Sequence, residues 1–146
     1  MKVVIGSDHA GFEMKEFVKE HLAKKGITVS DVGAKSLESV DYPVFGKTVG
    51  NKVVKENYDF GIVICGTGIG ISIAANKVKG VRAALVHDEE TARLAKEHNN
   101  ANVLAFGGRN TEKDMALKIL DSYLSSTFEE RHQKRIDLIE DESDDE

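Results

Sequence analysis

The fold of this 146-residue chain is decided by residues 60–70, FGIVICGTGIG. The first five residues are almost entirely apolar, which is typical of a parallel β-strand that is buried on both faces. The glycines that follow permit a tight turn in which backbone N–H groups can approach a ligand closely. A helix is predicted over residues 71–78, so the turn would lie at the positive end of a helix dipole, where anions bind.

Cys65 is the only cysteine of the chain and stands where the predicted strand meets the turn. It is either a small buried hydrophobic residue or a nucleophile or base activated by the helix end. A single cysteine excludes an intrachain disulfide and a thiol-rich zinc site. The glycines do not form the dinucleotide fingerprint G-x-G-x-x-G, because its third glycine position falls on Ile71, so a nucleotide-binding Rossmann domain is disfavoured.

Short β-type runs alternate with amphipathic helical patterns along the chain. The predicted strands are residues 2–6, 28–32, 59–65, 82–86 and 102–106. Such alternation predicts an α/β fold, a three-layer α/β/α Rossmann-like domain with a five-stranded parallel sheet. Ligands in these folds bind beyond the carboxyl ends of the strands. The candidate functional segments are therefore residues 7–11, 33–43, 65–70, 87–88 and 107–110.

Composition divides the chain into a domain over residues 1–139 and an acidic segment, EDESDDE, over residues 140–146. The acidic segment is expected to be a disordered tail. The remainder is nearly neutral and has no basic surface interleaved with aromatic residues, so nucleic acid is not an expected partner. No apolar run approaches the ~20 residues that cross a bilayer. The chain begins with a short strand rather than a signal peptide, which predicts a cytoplasmic location.

Asp8 and His9 follow the first strand. Gly6 and Gly11 have the spacing of a P-loop, but Phe12-Glu13 replaces its Lys-Ser/Thr pair, which argues against an NTPase. Asp8 could cap the next helix while His9 is exposed. Alternatively, the pair contacts the hydroxyls of a substrate and binds a phosphate.

Two further groups admit both a structural and a functional interpretation. His98 lies on the apolar face in the last turn of a predicted helix. It is either a core or capping histidine or a group that transfers protons. Arg131 and Arg135 are four residues apart on the predicted last helix. They form either a solvated face or a fork that binds a phosphate.

Together these motifs resemble type B ribose-5-phosphate isomerases, a family that includes the galactose-6-phosphate isomerases of the lactose pathway. The resemblance covers residues 1 to about 139 in order. It is carried by SDHAG at 7–11, DYP at 41–43, CGTGIG at 65–70, ANK at 75–77, HN at 98–99 and RHQKRI at 131–136. The resemblance implies a homodimer with shared active sites and no metal or other cofactor, and it leaves open whether dimers pair into a tetramer.

The resemblance also implies roles for individual residues. Cys65 would move a proton between C2 and C1 through an enediolate, Thr67 would move a proton between the sugar oxygens, and His98 would open the sugar ring. His9, Arg131 and Arg135 would bind the phosphate of ribose 5-phosphate or ribulose 5-phosphate. The expected substrate-binding residues are Asp8, His9, Tyr42, Gly66, Gly68, Ile69, Gly70, Asn99, Arg109, Arg131 and Arg135.

Two alternatives remain open at the level of sequence. The same chemistry could act on a six-carbon phosphosugar such as allose 6-phosphate or galactose 6-phosphate, since one hydroxymethyl group changes binding by only ~1–3 kcal/mol. A non-catalytic phosphosugar-binding module is the alternative from another functional class.

Overall fold

The computed structural model describes residues 1–143, so the last three residues of the predicted acidic tail lie outside the described residues. Strands and helices alternate through the chain. The strands are β1 (Lys2–Ser7), β2 (Thr28–Asp31), β3 (Phe60–Cys65), β4 (Ala83–Leu85) and β5 (Val103–Gly107). The helices are α1 (Phe12–Lys24), α2 (Tyr42–Lys55), α3 (Ile69–Asn76), α4 (Glu89–Glu97), α5 (Lys113–Ser125) and α6 (Gln133–Glu140).

The five strands form one parallel sheet in the order β2-β1-β3-β5-β4, which confirms the predicted fold class. β3 is central, and its last residue, Cys65, pairs with Gly107 at the end of β5. The loops that follow β1, β3 and β5 therefore meet at one edge of the sheet.

The hydrophobic core has two parts, one on each face of the sheet. Phe60, Ile62 and Ile64 pack with residues of α1, α4 and α5. Val63 and Cys65 point to the opposite face, where α2 and α3 lie. Because alternate residues of a strand face opposite sides, both faces of β3 must be apolar, and this is what the run of hydrophobic residues indicated.

The helix boundaries follow from local sequence signals. Asp88 caps α4 as predicted, since its side chain accepts from the N–H of Thr91 while the Thr91 hydroxyl accepts from the N–H of Asp88. The prediction for the last helix was wrong at its start. α6 begins at Gln133, and Arg131 lies in a separate 3₁₀ turn, Glu130–His132, so Arg131 and Arg135 do not share a helix face.

The first residues of the acidic segment contact the domain. Glu140 is the last residue of α6, and its carboxylate accepts from the guanidinium of Arg82 at 2.7 Å. Glu142 lies 2.9 Å from the ammonium of Lys79. Within residues 1–143, none of the helices has both the length and the apolar character needed to cross a bilayer.

A fully buried lysine joins α1 to the carboxyl end of β2. The Nζ of Lys15 lies 2.6 Å from Oδ2 of Asp31 and 2.8 Å from Oε1 of Glu16. The other oxygen of Asp31 accepts from the N–H of Gly33, which begins the loop after β2. Partial burial opposes ionisation of Asp31, but the hydrogen bonds from Lys15, Lys19 and Gly33 outweigh it, so the pKa of Asp31 is lowered.

This geometry predicts that Asp31→Asn destabilises the fold far more than Glu16→Gln. Asp31→Asn leaves the buried Lys15 without its closer carboxylate, and we expect a loss of about 2–3 kcal/mol in the free energy of unfolding. Glu16 is half exposed, so Glu16→Gln should cost less than about 1 kcal/mol. Urea unfolding at neutral pH, followed by circular dichroism, measures both values.

The difference between the wild type and Asp31→Asn should depend on pH. Because the pKa of Asp31 is lowered on folding, its contribution is present above the ordinary aspartate pKa of about 4 and is lost as the pH falls through the lowered value. The two unfolding curves should therefore converge in acid. Equal losses for Asp31→Asn and Glu16→Gln at neutral pH would contradict the importance of the buried ion pair.

Candidate active site

The thiol of Cys65 is held at the first turn of α3. Its side chain is buried, and Sγ accepts a hydrogen bond from the backbone N–H of Gly68 at 3.2 Å. α3 begins at Ile69, so the sulfur lies at the positive end of that helix. The structure therefore places the only thiol of the chain where the sequence predicted it, after the central strand.

Two glycines of the turn are required by its geometry. Gly68 has a φ of +82°, and a Cβ there would lie 2.6 Å from the carbonyl carbon of Phe106. A Cβ on Gly70 would lie 2.5 Å from the ring of Tyr42. The turn thus packs directly on β5 on one side and on the first residue of α2 on the other. No larger residue fits at position 68, and one at position 70 fits only if the ring of Tyr42 moves.

Thr67 is exposed at the tip of the turn, and its hydroxyl oxygen accepts from the N–H of Ile69 at 3.3 Å. Together with the bond from Gly68 to Cys65, this directs two backbone donors toward the side chains that precede α3. An oxyanion that forms beside Cys65 and Thr67 would therefore lie close to backbone donors that already point in its direction.

Asp8 organises the loop after β1. Its carboxylate is buried and accepts from the N–H of Gly11 at 3.0 Å, whereas the residue that caps α1 is Gly11 itself. The alternative in which Asp8 caps α1 is therefore wrong. The carboxylate is instead held at the carboxyl edge of the sheet, next to the turn that carries Cys65, through the bond from its own N–H to the carbonyl of Ile64.

His9 is oriented by the loop between β2 and α2. Its Nδ1 accepts from the backbone N–H of Val40 at 3.2 Å, so the neutral ring carries its hydrogen on Nε2. His9 also lines a cavity of about 350 Å³ together with Arg109 and Leu37. The ring is therefore prepared to donate to an anion in this cavity.

Arg109 connects the loop after β5 to the glycine turn. Its N–H donates to the carbonyl of Gly66 at 3.0 Å, and its Nη1 would lie 3.4 Å from a Cβ on Gly66. The guanidinium thus lies over the turn. We call the group formed by these elements the thiol site, and it comprises Asp8, His9, Tyr42, Cys65, Gly66, Thr67, Gly68, Ile69, Gly70 and Arg109.

The remaining predicted residues form a second group around the end of α4. His98 follows the last residue of α4, and its ring centroid lies 4.4 Å from that of His132. Glu129 places one carboxylate oxygen 3.8 Å from Nε2 of His98 and the other 3.2 Å from Nε of Arg131. We call this group the histidine–arginine site, and it comprises His98, Asn99, Glu129, Arg131, His132 and Arg135.

The two sites lie at opposite edges of the sheet. α4 begins after the carboxyl end of β4 and runs back, so His98 lies at the amino edge. Asn99 confirms this position, since its carbonyl accepts from the side chain of Arg82, just before β4. Because β3 has six residues, about 15–20 Å of sheet separates this edge from Cys65. A single chain therefore does not bring His98, Asn99, Arg131 and Arg135 to the thiol.

The histidine–arginine site is suited to an anion. His98, Glu129 and His132 place one potential ligand atom each within 4.8 Å of one another, which is a spacing that a metal ion could use. However, Nδ1 of His132 accepts from the guanidinium of Arg135 at 3.2 Å, so the ring hydrogen lies on Nε2. Neither ring nitrogen then has a lone pair available for a metal. With Arg131 also adjacent, the positive charge around this cluster favours an anion over a cation.

His132 was not among the predicted substrate-binding residues. Its ring is buried, and within residues 1–143 its Nε2 has no hydrogen-bond partner. Desolvation lowers the pKa of His132, and Arg131, His98 and Arg135 lower it further. The signal in the sequence was its position between two arginines, but only the structure shows that it stacks on His98.

Comparisons with known proteins show the family to which the chain belongs. Residues 3–139 match the family model described as ribose/galactose isomerase. Subunit LacB of the galactose-6-phosphate isomerase of Clostridium acetobutylicum is 47% identical over 128 residues, which cover 88% of this chain and 74% of that protein.

Two solved structures have the same fold. Ribose-5-phosphate isomerase B of Clostridium thermocellum superposes with a TM-score of 0.94 and 49% identity, covering 96% of this chain and 95% of that one. The Mycoplasma genitalium enzyme with bound ribulose-5-phosphate superposes with a TM-score of 0.90 and 44% identity, covering 95% and 93%. This chain belongs to the ribose/galactose isomerase family.

Proposed function

We propose that this chain is an aldose–ketose isomerase that interconverts ribose 5-phosphate and ribulose 5-phosphate in the cytoplasm. The observation that carries the proposal is the buried thiol of Cys65, which accepts from the N–H of Gly68. Arg109, which donates to the carbonyl of Gly66 in the same turn, lines a cavity together with His9. The Mycoplasma genitalium relative, described with bound ribulose-5-phosphate, supports a five-carbon phosphosugar as the substrate.

In the proposed reaction the furanose ring opens first. His98 accepts the proton of the anomeric hydroxyl and donates a proton to the ring oxygen, so the C1–O4 bond breaks and the aldehyde forms. The thiolate of Cys65 then removes the proton from C2, and the electron pair moves to O1 of the enediolate. Thr67 relays a proton between O2 and O1, and Cys65 returns its proton to C1, which completes the ketose.

In this proposal one set of residues binds the phosphate of the substrate, and another set binds its sugar. His9, Arg131 and Arg135 bind the phosphate, which fixes the position of C2 relative to Cys65. The other predicted contacts to the sugar and its oxyanion are made by Asp8, Tyr42, Gly66, Gly68, Ile69, Gly70, Asn99 and Arg109.

We also propose that the active enzyme is a homodimer with shared active sites. The thiol site and the histidine–arginine site lie at opposite edges of the sheet within one chain. An active site that contains both therefore requires the histidine–arginine site of a second copy. The helix that follows the thiol and the helix that contains Arg135 both carry exposed apolar side chains, Ile69 and Ile73 on α3 and Leu138 and Ile139 on α6. Exposed apolar surface of this kind marks interfaces between proteins, which supports an association through these helices.

A six-carbon phosphosugar is the second candidate substrate. The sequence identity to the galactose-6-phosphate isomerase subunit favours it. That identity is 47%, against 49% to the Clostridium thermocellum ribose-5-phosphate isomerase B. Leu37, in the loop after β2, lines the cavity that contains His9 and lies at a position where it can limit the length of the sugar.

Turnover on ribose 5-phosphate and on allose 6-phosphate, measured side by side with EDTA present, tests the substrate. We expect the five-carbon sugar to be preferred, with undiminished turnover in the chelator. A preference for the six-carbon sugar would keep the mechanism and change the substrate. Binding of both sugars without turnover would favour the non-catalytic binding module.

Replacement of Cys65 by alanine tests the assignment of the base. Cys65→Ala should lower kcat by about 10²–10⁴-fold, the usual effect of a positioned acid or base, and leave the affinity for ribulose 5-phosphate nearly unchanged. Steady-state kinetics and calorimetric titration measure the two quantities. A variant that retains full turnover would exclude Cys65 as the base.

Mixing two inactive variants tests whether the site is shared. Each active site of the proposed dimer combines the thiol site of one chain with the histidine–arginine site of the other. When a Cys65→Ala chain pairs with a His98→Asn chain, one active site carries both substitutions and the other carries neither. Random exchange of subunits should therefore restore about a quarter of wild-type activity. Sites contained within single chains would remain inactive after mixing, and each variant exchanged with itself serves as the control.

A further inference from the structure

The carboxylate of Glu129 bridges two positively charged or ionisable groups of the histidine–arginine site. One oxygen lies 3.2 Å from Nε of Arg131, and the other lies 3.8 Å from Nε2 of His98. The backbone of Glu129 is fixed as well, because its N–H donates to the carbonyl of Glu97 at 2.9 Å and its carbonyl accepts from the N–H of His132 at 3.1 Å. The carboxylate is therefore anchored beside the end of α4.

A carboxylate in this position offers the same contacts as two oxygens of a phosphate. Both anions accept from a guanidinium and neutralise neighbouring positive charge. Arg131 cannot direct its Nε to both anions at once. Arg135, in contrast, has no acidic partner within residues 1–143 and instead contacts His132.

We propose that Glu129 is an internal competitor for the substrate phosphate and so sets the affinity of the enzyme for its substrate. This inference rests on the proposed function, in which Arg131 binds the phosphate. In the free enzyme Glu129 occupies Arg131, and the incoming phosphate displaces the carboxylate. Arg131 is largely exposed, so its side chain is free to exchange one anion for the other.

The adjacent Glu130 provides a matched control. It lies one residue further along the chain, is exposed, and forms no ion pair within the described part of the chain. Glu129→Gln and Glu130→Gln remove the same charge from nearly the same place. A general effect of net charge on anion binding would therefore be equal in the two variants, whereas competition for Arg131 is lost only in Glu129→Gln.

The test measures binding of inorganic phosphate by calorimetry and steady-state kinetics with ribose 5-phosphate. For Glu129→Gln we expect the Kd of phosphate and the KM to fall by about two- to five-fold, the range set by an exposed ion pair. The value of kcat is measured beside them, because it reports any effect of the substitution on His98, which Glu129 also faces. Glu130→Gln should leave all three constants at their wild-type values. Thermal unfolding of both variants verifies that they are folded.

Unchanged or weaker phosphate binding by Glu129→Gln would overturn the proposal, as would equal tightening in both variants. A lower kcat with an unchanged Kd would also overturn it and would assign Glu129 to the orientation of His98. Phosphate titration does not depend on turnover. A wild-type protein without isomerase activity would therefore contradict the proposed function, while the titrations would still decide whether Glu129 competes.

Discussion

The parallel pairing of β3 with β1 and β5 determines which side chains lie at the same edge of the sheet as Cys65. Because the three strands run in the same direction, the loops that follow them meet at one edge and are joined there by backbone hydrogen bonds. The N–H of Asp8 donates to the carbonyl of Ile64, and the N–H of Gly108 donates to that of Cys65. The thiol site is thus built on the sheet itself, and its geometry is as rigid as the core beneath it.

The same direction of the strands places the ends of the connecting helices at the other edge. His98 caps α4 there, and the chain returns to this edge again after α5 with Arg131 and Arg135. No local rearrangement moves these residues across a buried sheet. In the proposed dimer a second copy would supply them, so activity would depend on association. The exposed apolar residues of α3 and α6 are the candidate surface for it.

The sequence was sufficient for the parts of the structure that depend on local patterns. The ends of the strands lie within two residues of their predicted positions, because buried runs and flanking glycines mark them, and Asp88 caps α4 through its own side chain. Other features depend on distant partners. The orientation of His9 depends on a backbone N–H of Val40, which carries no side-chain signal, and Lys15 has the pattern of an exposed lysine although it is fully buried.

Glu129 offsets part of the positive charge of the histidine–arginine site. Arg131 and Arg135 lie around the paired rings of His98 and His132, and without an anion these cations repel one another. A phosphate offsets that repulsion only while substrate is bound. Glu129 offsets part of it in the free enzyme, and it does so with a single charge on an exposed pair. In the proposed dimer a phosphate, which carries up to two charges, would also contact His9 of the other copy. We therefore expect it to displace the carboxylate and to stabilise the dimer by mass action.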